Sequence, residues 1–241
     1  MKSTASVPTD RPFVLVNMAM TADGKIATAN RAVSTFGSAR DHAHLLELRA
    51  TVDAVMSGAR TVDSAPVNLG PGAAKYRRQR LRRGLAEYNL RVIVSGSGTL
   101  HPDAHIFTQR FSPIIILTSQ RATALALRQL RTLADDVKIC GRQEVNLRAA
   151  LRWLHAQWKV KRLLCEGGGE LNEAMFRAGL VDEVHLTLCP LIFGGRRAPT
   201  IAEGRGFPTL AFAASFQLVS RKRHGDELFV VFRRRTERAS L

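Results

Sequence analysis

Six short apolar runs set the architecture of this chain. FVLVNMA (13–19), DAVMS (53–57), LRVIVS (90–95), PIIILTS (113–119), KRLLCE (161–166) and DEVHLTLCP (182–190) are each too brief for a membrane span. LRVIVS and PIIILTS are the clearest, rich in β-branched residues and continuous rather than alternating. Strands buried on both faces of a parallel sheet read this way. Helical patterns lie between them, over about residues 39–50, 121–133, 146–157 and 169–178, with Ser38 and Asn146 as N-caps. The last forty residues differ: SFQLVSRKR and ELFVVFRRR flank His224-Gly225-Asp226, with apolar residues alternating at Phe216, Leu218, Leu228, Val230 and Phe232. That is a hairpin. The expected fold class is α/β, a mostly parallel central sheet with helices on both faces and a C-terminal antiparallel hairpin.

The chain has 241 residues, enough for one sizeable core, and no internal repeat. Residues 1–10 are polar without an apolar leader core and are expected to form a tail without fixed structure; 11–235 read as a single domain and 236–241 as a C-terminal tail. The three cysteines, Cys140, Cys165 and Cys189, form no CxxC pair, which argues against a disulfide framework or zinc knuckle and fits a reducing cytoplasm. No metal site is expected: His42 and His44, two apart on a helix, do not share a face, and His185 in an apolar strand reads as a core or edge residue.

The net charge of +16 suggests an anionic partner. Nucleic acid fits poorly, because the basic residues are spread and only 6% of the chain is aromatic. The basic stretch GPGAAKYRRQRLRRGLAEYN (70–89) reads as a weakly helical, solvated surface segment.

Three strand ends carry glycine. CEGGGELN (165–172) runs from strand into helix, and its glycines let a backbone approach a ligand while the helix start points N–H groups at an anion. The same triplet also suits a tight turn. The full G-x-G-x-x-G fingerprint is absent, since Asn172 stands at the third glycine position. SGART (57–61) adds Arg60 and Thr61; VSGSGTLHP (94–102) adds Ser95 and Ser97. Together they describe a carboxyl-edge crevice for a phosphate-bearing dinucleotide, NADPH rather than NADH. PLIFGGRRAP (190–199) is a fourth glycine loop, equally suited to turning away from the sheet. Asp23, Asp63 and Glu166 are the carboxylates at strand ends and the candidates for acid–base work; Asp23, before Gly24, equally suits a turn.

NMAMTADGKIA (17–27), LRATVDAVMSGARTV (48–62), LCEGGGELNEAMFRAGLVDEVHLTLCPLIFGG (164–195) and APTI (198–201), in that order, resemble the reductase domain of riboflavin biosynthesis. The resemblance covers about residues 11–234 and implies a three-layer, dihydrofolate-reductase-like fold and a homodimer. It implies NADPH-dependent reduction of a phosphoribosylamino-pyrimidine, 5-amino-6-(5-phosphoribosylamino)uracil or its 2,5-diamino analogue, to the ribitylamino form. The ribose opens to an imine and hydride adds at C1′. It implies Gly58, Arg60, Thr61, Ser95, Gly167, Gly168, Gly169, Glu170 and Leu171 at the cofactor, and Asn17, Ser38, Arg40 and Glu166 at the substrate. The family's Asp-Pro pair and following Arg have no match in TVDSAPVNLGPGAAKYRR; Lys75 or Arg77 are the candidates for the substrate phosphate. No H-x-E or P-C-x-x-C of a fused deaminase is present. A reductase of another heterocycle, such as a pterin, shares the cofactor features.

Overall fold

The computed structural model describes residues 10–31, 35–64 and 66–235. Of the expected terminal tails, 1–10 and 236–241, residues 1–9 and 236–241 lie outside the described residues, while Asp10 is described and pairs with Arg152 at 2.7 Å. The strands are β1 (Phe13–Thr21), β2 (Ala54–Gly58), β3 (Leu90–Val94), β4 (Ile114–Thr118), β5 (Asp136–Ile139), β6 (Arg162–Cys165), β7 (Glu183–Cys189), β8 (Phe216–His224) and β9 (Glu227–Arg234). They form one sheet in the order β5-β4-β3-β2-β6-β1-β7-β9-β8. Every pairing from β5 to β7 is parallel, and β9 joins β7 and β8 antiparallel. The apolar runs thus produce the mostly parallel sheet and terminal hairpin that the pattern implies.

The continuous apolar composition follows from burial on both faces. Val14 and Val16 of β1 face one core, with Met56, Leu117 and the helices α6 (Leu147–Trp158) and α7 (Gly169–Arg177). Phe13 and Leu15 face the other, with Val55, Ile93, Ile116 and Leu48 from α1 (Ala39–Arg49). Alternate residues of one strand therefore meet different helical layers. Caps set the helix starts: Ser38 Oγ accepts from Arg40 N at 3.1 Å and Asp41 N at 3.3 Å, and Asn146 Oδ1 accepts from Ala149 N at 3.0 Å. Helix α5 (Ala124–Leu133) starts three residues later than the pattern suggests, because Thr123 caps it by accepting from Ala126 N.

Two segments differ from their sequence reading. Residues 74–82 form a helix, α3, that is anchored rather than wholly solvated: Tyr76 and Arg80 are buried. Arg80 donates to the carbonyls of Arg49, Val52 and Ala86. Burial pulls its guanidinium down to about 10. A buried arginine that caps backbone carbonyls is indistinguishable in sequence from a solvated one. Strand β5, half-exposed along most of its length, lacks an apolar run and gave no strand signal. In the hairpin, Gly225 and Asp226 form the two-residue turn between His224 and Glu227, with Gly225 at φ +58. A register irregularity between Leu218 and Ser220 breaks the expected alternation and leaves Leu218 exposed.

Candidate functional site

A cleft of about 1070 Å³ opens at the carboxyl ends of β1, β2, β3 and β6. Its floor is built by ties between neighbouring strand ends. Gly58 N donates to Gly167 O at 2.7 Å, Ser57 Oγ to the same oxygen at 3.0 Å, and Glu166 N to Met56 O at 2.9 Å. Gly168 N donates to Thr61 Oγ1 at 3.1 Å, joining the helix start of α7 to α2 (Ala59–Ser64). The glycines have distinct physical reasons. Gly167 sits at φ +77, where a Cβ would also meet Asn172 Nδ2 at 2.9 Å and Met18 Sδ at 3.1 Å. A Cβ on Gly169 would meet Thr200 O at 2.5 Å. Gly168 is the N-cap of α7 and provides no side chain to cap it, so the first N–H groups of that helix have no side-chain acceptor and border the cleft. Across from them, Gly96 has nothing within 4 Å of a Cβ position. Open backbone, uncapped helix N–H groups and the Ser95–Thr99 loop form a cradle with the donors and the space that an anionic group requires.

Asn17, Gly58, Arg60, Thr61, Asp63, Ser95, Glu166, Gly168, Gly169, Glu170 and Leu171 all line this one cleft. Gly167 supports it through its carbonyl. Glu166 is clamped: Arg49 Nε reaches Oε1 at 2.6 Å and Arg49 Nη2 reaches Oε2 at 2.7 Å, while Nη1 donates to Gly70 O at 2.6 Å. Both side chains are about nine-tenths buried. Asp63 accepts from His101 N at 3.0 Å. Arg60 pairs with Glu170 at 2.8 Å on the exposed rim.

Other candidates sit elsewhere. Asp23 accepts from the Thr21 hydroxyl, Gly194 N and Phe193 N, tying the β1 turn to the loop after β7. The Thr21 hydroxyl, and then those two N–H groups, hold its carboxyl below the usual value despite desolvation. Ser38 caps α1 and gives its hydroxyl and N–H to Glu227. Arg40 makes a bidentate pair with Glu47 at 2.7 and 3.0 Å. Arg77 bonds the Tyr88 hydroxyl at 2.6 Å and Lys75 lies over the Tyr76 ring; neither is among the residues lining the cleft. The Cys165 thiol lies beside the site, but burial pushes it up to about 12, which suits packing rather than nucleophilic attack. Among the described residues, no cluster of His, Cys, Asp and Glu could hold a metal, and no helix is long and apolar enough to cross a membrane.

Asp41, which lines the cleft, and Arg49, which stands behind Glu166, are residues that sequence reasoning passed over. Asp41 stands three positions after Ser38 and reads as part of a capping pattern. Arg49 closes α1 and reads as a helix-end cation. Nothing local indicates that either points inward.

Residues 12–230 match the RibD C-terminal domain family. The chain belongs to that family. It is 33% identical over 222 residues to the 2,5-diamino-6-ribosylamino-4(3H)-pyrimidinone 5′-phosphate reductase of Methanothermobacter thermautotrophicus, covering 92% of this chain and 98% of that one. It is 32% identical over 197 residues to the enzyme of the same name from Archaeoglobus fulgidus, covering 82% and 89%. The fold is shared with a pyrimidine reductase-like protein from Corynebacterium diphtheriae, with a TM-score of 0.76 at 20% identity over 94% of this chain and 93% of that chain. This member of the family thus spans nearly the whole of its full-length reductase relatives.

Proposed function

We propose that this protein is a cytoplasmic, homodimeric, NADPH-dependent reductase of 2,5-diamino-6-ribosylamino-4(3H)-pyrimidinone 5′-phosphate, acting in riboflavin biosynthesis. One observation carries the reading: a clamped carboxylate, Glu166, stands directly before an uncapped, glycine-lined helix start in a single cleft. The names of the two archaeal relatives support the substrate.

The bound cofactor supplies the hydride. The free N–H groups at the start of α7, from Gly169 onward, would hold its phosphates; Gly58 and Gly168 give it room, their own N–H groups being taken by Gly167 O and Thr61 Oγ1. The extra phosphate of NADPH falls to Arg121. Of the arginines lining the cleft, Arg31, Arg60, Arg177 and Arg205 have carboxylate partners among the described residues, and Arg121 has none. Ser97 and Thr99 stand on the neighbouring loop, which Ser119 ties down by donating to Gly96 O at 2.6 Å and accepting from Arg121 N at 3.3 Å. Glu166, fixed by Arg49, orients the opened ribosylamino chain, and Asn17 addresses the pyrimidine. Asp63 lies at the cleft wall and accepts from His101 N; Glu166, held on both oxygens by Arg49, is the carboxylate with a fixed orientation and is assigned to align the reacting carbon. When bound, the nicotinamide would supply a hydride to C1′ of the opened ribosylamino chain, with solvent water supplying the proton to its nitrogen.

Absorbance of NADPH followed on mixing with the diamino pyrimidine tests the reading. Consumption that requires this substrate, and that a dihydropterin does not support, is the expected result. Consumption with the pterin alone transfers the protein to the other heterocycle class.

A further inference from the structure

Residues 199–203 cross the start of α7 as a strap fixed on both sides. Ile26 N donates to Pro199 O, Asn172 Nδ2 to Ile201 O and Glu203 N to Gly169 O, each at 2.9 Å. This brings the Glu203 side chain against the helix start: a Cβ on Gly169 would meet Glu203 Cγ at 2.9 Å and Oε2 at 3.2 Å. The carboxylate turns to Arg31, whose Nη2 reaches Oε1 at 3.1 Å and whose Nη1 reaches Oε2 at 3.4 Å. Arg31, Gly169 and Glu203 all line the cleft. Arg31 itself sits at φ +60, a left-handed conformation costly to a residue with a Cβ, and its N–H closes a turn on Thr28 O at 2.8 Å. The turn and the strap together hold one cation and one anion beside the glycine cradle.

The two arginine–glutamate pairs of the cleft contrast. Arg49–Glu166 is short and its side chains are 9% and 11% exposed; Arg31–Glu203 is longer and its side chains are 45% and 24% exposed. An exposed pair of long side chains is weak, because water competes for both charges. A guanidinium bonded to a phosphate makes the stronger, charge-assisted contact. An anion received by the free N–H groups of α7 therefore competes with Glu203 for Arg31, and it meets the Glu203 carboxylate as a like charge. The place of Arg31 decides which anion this is. It follows β1, which pairs with β6, and β6 leads into α7. Arg121 follows β4, four places from β1 in the sheet, roughly 19 Å at the usual strand spacing. The two arginines therefore address different phosphates.

We propose that Arg31 is a positioning residue for the cofactor that exchanges partners, leaving Glu203 for the diphosphate of the dinucleotide, while Glu203 sets against that diphosphate a charge that favours its release. This rests on the dinucleotide reading above. It concerns the diphosphate that NADPH and NADH share, whereas Arg121 is assigned the phosphate that only NADPH carries. The two members of one ion pair thus act on the cofactor in opposite directions. A pair that merely fastened the strap to the β1–α1 segment would act in one direction, whichever member were removed.

The test is calorimetric titration of the wild type, Arg31→Gln and Glu203→Gln with NADPH and with NADH. No pyrimidine is present, so the dinucleotide is the sole source of phosphate. Arg31→Gln should raise Kd for both nucleotides alike by about tenfold. Glu203→Gln should lower both by about threefold. Both variants lose the same exposed ion pair, so both should melt within about 3 °C of the wild type, which reports an intact fold. The assignment requires the two opposite signs. Weaker binding in both variants, an unchanged Kd in either, or a loss in Arg31→Gln confined to NADPH overturns it. A folded wild type that binds neither nucleotide instead removes the dinucleotide reading and this assignment with it.

Discussion

Arg49 and Glu166 lie 117 positions apart in the chain and meet as a bidentate pair at 2.6 and 2.7 Å, at the wall of the cleft. Arg49 is itself held from behind, because buried Arg80 donates to its backbone carbonyl at 2.7 Å. A line of three elements, α3, α1 and the end of β6, therefore fixes one carboxylate. The consequence is rigidity where a reacting carbon must be aligned.

Substituting Arg49 separates that alignment from simple charge. Arg49→Lys keeps a cation but cannot make the planar two-point contact. Its expected effect is a fall in kcat on the order of a hundredfold, with NADPH affinity unchanged. Arg49→Met leaves a buried carboxylate unpaired and should destabilise the fold by about 3–5 kcal/mol. Steady-state kinetics and urea unfolding check the two.

The glycine cradle makes a different demand. Gly168→Asp places a carboxylate beside Thr61 Oγ1, which a Cβ would approach to 3.0 Å, and at the uncapped start of α7. NADPH binding should weaken by at least about tenfold, since the new side chain occupies the cradle and caps the free N–H groups itself. Gly167→Ala should instead cost at least about 1–2 kcal/mol of folding stability, from its left-handed φ and the close approach of a Cβ to Asn172 Nδ2. Titration with NADPH and thermal melting distinguish a cofactor effect from a folding effect.

Cofactor choice is expected to depend on Arg121. Arg121→Ala should weaken NADPH binding about tenfold, the equivalent of about 1.4 kcal/mol, and leave NADH binding unchanged. Parallel titrations with both nucleotides, repeated at high salt, read this directly.

Acid stability follows from two groups on the α1–β7 face. Burial first, and the His185 charge next, lower His44 to about 4 from 6.5. The unfolded chain binds that proton first, so stability present above pH 6.5 should decline as pH falls from 6.5 toward 4. Burial alone would raise the Glu183 carboxyl, but hydrogen bonds from His185 and Arg233 outweigh it and bring it to about 2. Its contribution is complete above pH 4.5 and is lost as pH falls through 2. At about 1.4 kcal/mol per pH unit, this amounts to on the order of 3 kcal/mol. Urea unfolding against pH should show both limbs, and His44→Asn should flatten the upper one.

The legibility of the chain divides along physical lines. Sheet strands buried on both faces declare themselves by composition, so β1 to β4, β6 and β7 are visible in the sequence; β5, half-exposed at the sheet edge, is not. The glycines of CEGGGELN are visible because close backbone approach admits little else. Arg49 and Asp41 are invisible. Their significance lies in what α1 faces across the sheet, and an arginine that clamps a carboxylate has the same local pattern as one that ends a solvated helix. Ser38 and Arg40 show the converse: the family resemblance implies a place at the substrate, while their side chains turn to Glu227 and Glu47.

Mass spectrometry of the product gives the most direct measurement. The purified protein is incubated with NADPH and 2,5-diamino-6-ribosylamino-4(3H)-pyrimidinone 5′-phosphate. The expected result is a pyrimidine that has gained one hydride and one proton, with NADP⁺ formed in equal amount. An unchanged pyrimidine, from a folded protein that binds NADPH, would contradict the account.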